Sequence, residues 1–185
     1  ERWKKFNIEL QPWKQTGNNI IICGQHTRSH QWRNNPPMSK WFDNQITEIR
    51  KYTDRPIIIR PHPRNHVIID TKKYKDVKIV GPVRDRKTYD DTDLAERLKT
   101  AWAVVSHSSN PAMTAVFSGI PVYVSEASLS YDVGNSTFQN IDNPNMPDRK
   151  QWANKLAYTE WWTDEIAQGL PWQRIKKRLE DHYLK

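Results

Sequence analysis

The chain has 185 residues, a formal net charge of +8 and a pI near 9.6, a balance that suits an anionic partner such as nucleotide phosphates, nucleic acid or an acidic polymer. That length can bury a real core and favours one domain, or one domain with an appended helical tail, while nine Trp and seven Tyr argue against disorder. Mean hydropathy is −0.90, no apolar run reaches the length of a membrane span, and no signal-peptide pattern opens the chain, so a cytoplasmic protein without a membrane span is expected.

Residues 1–17 carry aromatic residues and Pro12 without a clear period and read as a lead-in segment; Glu1 is compatible with a processed end or the edge of a larger protein. Asn18-Asn19 opens a strand over 20–23, broken by Gly24. Its Cys23 is the sole cysteine, which excludes an internal disulfide and a cysteine zinc site; it reads as a small buried hydrophobe. A loop over 25–38 leads to Ser39, a candidate cap for a helix whose apolar face is Trp41, Phe42, Ile46, Ile49 and Tyr52. Arg55-Pro56 ends it, and a second strand covers 57–60.

A third strand, 77–80, stops at Gly81-Pro82. A short helix, 93–100, precedes a fourth strand over 102–106. Asn110-Pro111 starts a helix through Phe117, stopped by Ser118-Gly119, and a fifth strand spans 121–124. Residues 126–149 form a polar loop, long enough to be functional or mobile, and two helices near 148–168 and 171–184 close the chain. Short continuous apolar strands alternating with helices predict an α/β fold: a Rossmann-like parallel sheet of about five strands, helices on both faces, and a C-terminal helical tail. The expected organisation is a lead-in over 1–17, a nucleotide-binding domain over 18–150 and a tail over 151–185.

Ligands of open α/β sheets bind beyond the carboxyl ends of the strands. Two such ends are polar here. Arg60-Pro61-His62-Pro63-Arg64 sets a histidine between prolines that restrict its backbone, with arginines able to pair with phosphate oxygens. Ser106, Ser108, Ser109 and Asn110 lie between a strand and a helix start, where hydroxyls and unpaired N–H groups suit an anion, or where Ser109 or Asn110 simply caps the helix. Gly24, Gln25 and Arg28 follow the first strand toward the same edge. Neither a dinucleotide fingerprint nor a P-loop is present. His26 and His30 have i,i+4 spacing but no carboxylate partner, and Asp90, Asp91 and Asp93 read as helix-start residues, so no metal site is assigned. Trp152, Trp161, Trp162 and Trp172 suit packing of the tail better than stacking on a base or sugar. The basic group Arg174 to Arg178 reads as a solvated helix face.

This combination resembles the nucleotide-sugar-binding half of GT-B glycosyltransferases, in the branch of bacterial sialyltransferases and capsule-type Kdo transferases. That branch has a His-Pro motif after one strand and a Ser-Ser or Ser-Thr motif before a later helix, matched by His62-Pro63 and Ser108-Ser109. The run from Ala112 to Val122 is similar to the family's small-residue helix, Gly and Pro-Val strand, and Trp161 to Trp172 adds a weaker likeness. The resemblance implies that His62 contacts the donor phosphate as the catalytic group and that Ser108 and Ser109 hold the leaving nucleotide, without metal or cofactor. GT-B enzymes have two Rossmann-like domains and this chain holds one, so the acceptor side and the general base are expected from another domain or a partner subunit.

The expected substrate is a nucleotide sugar, with a glycan or other hydroxyl acceptor. Two further readings stay open: a phage-type glycosyltransferase that modifies hydroxylated bases in DNA, and a non-catalytic nucleotide-binding module.

Overall fold

The computed structural model describes residues 2–65, 67–82 and 92–183. Five strands, β1 (Asn19–Cys23), β2 (Ile57–Arg60), β3 (Val77–Ile79), β4 (Ala101–Ser106) and β5 (Val122–Val124), form one sheet in the order β3-β2-β1-β4-β5. Every pairing is parallel. Helices α1 (Met38–Ile49), α2 (Thr92–Leu98) and α3 (Pro111–Phe117) connect them. The chain builds outward from β1 to β3, then returns to the other side of β1 as β4. The strand order therefore reverses between β1 and β4, and a Rossmann-like sheet opens a crevice at that point.

The central strands form around continuous apolar runs, Ile20–Cys23 in β1, Ile57–Ile59 in β2 and Ala101–Val105 in β4. Ile20, Ile22, Ile57 and Ile59 face α1 and share a cluster with its Trp41, Phe42, Ile46 and Ile49. Ile21, Ile58 and Val104 point to the opposite face and are equally buried. Right-handed crossovers running in opposite directions put their helices on opposite faces, so α1 and α3 flank the sheet from both sides. β3 is the open edge: Lys78 and Ile79 are exposed, and a charged edge discourages further strand pairing.

Several boundaries differ from the sequence reading. α1 starts at Met38 after Pro37, without a Ser39 cap, and ends at Ile49; Tyr52 lies past its end and is exposed. The lead-in is not one piece. Residues 9–17 belong to the sheet unit, where the Gln11 amide donates to Phe117 O at 2.9 Å and the Lys14 amide to Gly119 O at 2.7 Å. Gly119 has φ +76°, and a Cβ there would lie 2.0 Å from Pro12 O, so only glycine allows this stitch. The 126–149 loop is packed rather than loose. Buried Asn135 donates from Nδ2 to Val122 O and Asn145 O, and its Oδ1 accepts from Asn140 Nδ2 and the Asn145 amide.

The chain divides into two compact units, Glu9–Arg149 with the sheet, and Glu1–Ile8 with Lys150–Lys185. The second holds a 3-10 turn (Arg2–Phe6) and three helices, α4 (Lys150–Leu156), α5 (Thr163–Ala167) and α6 (Leu170–Tyr183), where the sequence predicted two. Thr159 Oγ1 donates to Leu156 O at the end of α4, and Glu165 accepts the Trp162 amide to start α5 afresh. Buried Arg2 pairs with Glu165, donates from Nε to Ala157 O and lies 4.2 Å over the Trp161 ring. Trp152 is buried, while Trp162 and Trp172 are exposed. None of the described helices is long and apolar enough to cross a membrane.

Candidate functional site

A cleft of about 480 Å³ opens at the carboxyl ends of β1, β2 and β4. Each strand delivers its next residues to it: Gly24, Gln25 and His26 from β1, His62, Pro63 and Arg64 from β2, and Ser108, Ser109 and Asn110 from β4. Parallel pairing sets this alignment, since Cys23 registers with Arg60 on one side and with Ser106 on the other. The described lining carries two histidines, two arginines and no carboxylate. Such a wall attracts anions.

Gly24 is required for the closure. A Cβ there would meet Phe42 Cζ at 2.8 Å and the His62 backbone nitrogen at 3.3 Å, so glycine lets the β2 turn come against the end of β1. Gln25, almost fully buried, then joins the β1 and β4 ends. Its Oε1 accepts from the Ser108 amide at 3.2 Å and the Ser108 hydroxyl at 3.0 Å, and its Nε2 donates to Ser29 Oγ. Asn65, just past the His62 turn, donates from Nδ2 to Gln25 O at 2.8 Å and ties in the third strand end.

His62 has a defined tautomer. The Arg64 amide donates to its Nδ1 at 3.1 Å, so the neutral ring carries its proton on Nε2 and can donate there. Burial, followed by the nearby His26, Arg64 and Arg60, pushes its pKa below the ordinary histidine value. Near pH 7 it is a neutral hydrogen-bond donor, not an imidazolium. The His26 ring stands edge-on to it, with centroids 5.2 Å apart.

The serines divide the work. Ser106 is buried in β4 and lies behind the cleft: its Oγ accepts the Ser109 amide at 3.1 Å and lies 2.7 Å from Ser109 Oγ. When Ser106 donates in that second contact, the Ser109 hydroxyl proton is left for a ligand. Ser108 is held by Gln25 and by His107 Nδ1 at 3.2 Å. The side chain of Asn110 makes no capping bond to α3, and Ser109 is engaged with Ser106, so simple helix capping does not account for these residues.

Three sequence assignments change. Arg60 borders the cleft, but its Nε and Nη2 form a fork with Asp93 of α2 at 3.3 and 3.0 Å, both side chains being almost fully buried. It braces β2 against α2 instead of presenting its fork to phosphate. Arg28 is exposed and off the lining. Ser106 positions Ser109 and does not itself line the cleft. Conversely, His26, Ser29 and Gln31 line the cleft, a role the sequence reading did not give them. The nearness of His26 to Gly24 was a usable signal, but its bearing depends on the direction of the 25–29 turn.

Asp93 is an ion-pair partner, and Asp90 and Asp91 lie outside the described residues. Among the described residues no three His, Cys, Asp or Glu side chains gather as a metal site. No protein-family model matches the chain, and no curated protein matches it significantly.

Proposed function

We propose that residues 9–149 are the donor-binding unit of a glycosyltransferase that moves a sugar from a nucleotide-sugar donor to a polysaccharide or other hydroxyl acceptor in a reducing, cytoplasmic compartment. One observation carries the reading: His62 and Ser108-Ser109 line a single cleft at the switch point of the sheet, with no carboxylate among its described lining residues. These are the residues on which the GT-B resemblance rests.

The chemistry follows from the donors. When the bond between sugar C1 and phosphate oxygen breaks, the electron pair stays on the phosphate and its negative charge grows. The Nε2–H of His62 and the hydroxyl of Ser109 meet that charge with hydrogen bonds fixed beforehand by Arg64, Ser106 and the sheet, which is how positioned donors favour a transition state. Gln25 holds the Ser108 backbone at the same edge. The attacking hydroxyl and the base that takes its proton come from an acceptor domain or partner subunit.

Calorimetry with CMP, CDP, UDP and GDP tests this. At least one should bind, with affinity falling roughly tenfold on His62→Ala or Ser109→Ala, the loss expected for a charge-assisted hydrogen bond. Absence of binding to all four would remove the reading. The net charge of +8 favours one second reading, a phage-type enzyme whose acceptor is a hydroxylated base in duplex DNA. DNA affinity would then fall steeply with salt. Nucleotide binding without donor hydrolysis or transfer would instead identify a non-catalytic module.

A further inference from the structure

α6 carries its hydrophobic side chains on the wrong side for a helix that packs onto its own unit. At 3.6 residues per turn, Trp172, Ile175, Leu179 and Tyr183 fall within about 80° of its circumference. They are 61, 51, 44 and 74% exposed, and no residue of α6 is buried. The opposite side is mostly polar and meets the unit: Arg174 lies 3.5 Å over the Tyr158 ring, and Gln173, Arg174 and Lys177 line a pocket with Trp161. The helix is laid on its unit by its charged side, and its apolar stripe looks outward.

Charge says what covers the stripe. Lys176 borders it beside Tyr183 and Arg178 borders it beside Ile175, and α6 holds four Lys or Arg against two Asp or Glu. Of the two acids, Glu180 pairs with Lys176 at 3.7 Å, and Asp181 lies across the helix from Trp172. Long basic side chains beside an apolar stripe keep their heads among lipid phosphates while their stems lie along hydrocarbon. Trp and Tyr, which end the stripe here, settle at that same depth. A second copy of the chain fits less well. Two chains of net charge +8 repel, and four residues a side fall far short of the roughly 20–30 of a stable protein interface. With 14 residues, a length of about 21 Å, α6 can lie on a bilayer and not cross it.

We propose that α6 is a docking helix for an anionic lipid bilayer, with the stripe of Trp172, Ile175, Leu179 and Tyr183 set into the headgroup boundary and the flanking cations on lipid phosphates. The proposal stands apart from what the cleft of the sheet unit binds.

The test is sedimentation of the full chain with vesicles of phosphatidylcholine alone and of phosphatidylcholine with an equal amount of phosphatidylglycerol, at low and high salt. The chain should pellet with the mixed vesicles and less with the neutral ones, and the difference should shrink as salt rises. Trp172→Ala and Leu179→Ala should each weaken partition roughly tenfold. Arg178→Gln should weaken it roughly fivefold, on the mixed vesicles only. These side chains are exposed, so the variants should melt with the parent chain. Lys99→Gln, which removes an exposed cation of the other unit, should change partition little. A loss equal to that of Arg178→Gln would reduce the effect to net charge and overturn the proposal. Equal partition onto both kinds of vesicle, or onto neither, would overturn it too. So would a dimer in analytical ultracentrifugation that Leu179→Ala dissociates, because the stripe would then belong to a second copy.

Discussion

His62 joins two properties that pull against each other. Its backbone turn is rigid and its Nδ1 is occupied, so the ring can only point its proton outward through Nε2. Burial together with His26, Arg64 and Arg60 holds its pKa below the unfolded value, and burial does the same to His107. The unfolded chain then binds more protons than the folded one as pH falls below about 6.5, so stability decreases in that direction and is undiminished above it. Urea midpoints measured from pH 8 to pH 5 should fall at the acid end, and His62→Gln should flatten part of the slope while His107 keeps the rest. A slope unchanged by that variant would mean His62 is not the depressed group. Gly24 makes the other residue-scale prediction. Gly24→Ala pushes a methyl into Phe42 and the His62 backbone, and such overpacking costs about 1–3 kcal/mol. It should also weaken nucleotide binding by more than the lost stability explains, which a binding titration well below the melting temperature would read.

At the scale of elements, α2 is pinned by one buried ion pair. Asp93→Ala removes the carboxylate that receives the Arg60 fork, and breaking one partner of a buried pair costs up to about 3–5 kcal/mol. A denaturation midpoint moved by much less would show that Arg60 finds other partners. This pair also marks where the sequence stopped being readable. β1, β2 and β4 were legible because strands buried on both faces carry continuous apolar runs, and Gly24 and Pro61 announce the turns after the first two. The motif residues were legible as a group for the same reason: they follow those strands. Whether an arginine there serves a ligand or a helix depends on Asp93, thirty-three residues away, and no local pattern carries that. The tail was misread likewise, because its break at Thr159–Trp162 is fixed by Glu165 and by Arg2 from the other end of the chain.

The chain divides into two compact units, and all described residues of the candidate cleft fall within one of them. A polypeptide of residues 9–149 should therefore melt cooperatively and keep the nucleotide affinity of the full chain. Loss of the cooperative transition would show that the N- and C-terminal unit is needed for the sheet to fold. The glycosyltransferase account itself depends on His62 and Ser109 reaching one shared anion. The direct measurement is an NMR titration with the nucleoside diphosphate that binds most tightly, observing the His62 imidazole and the Ser109 amide together. Both signals should shift with one dissociation constant, and Ser106→Ala should weaken it. Movement of only one signal, or two different dissociation constants, would contradict the account.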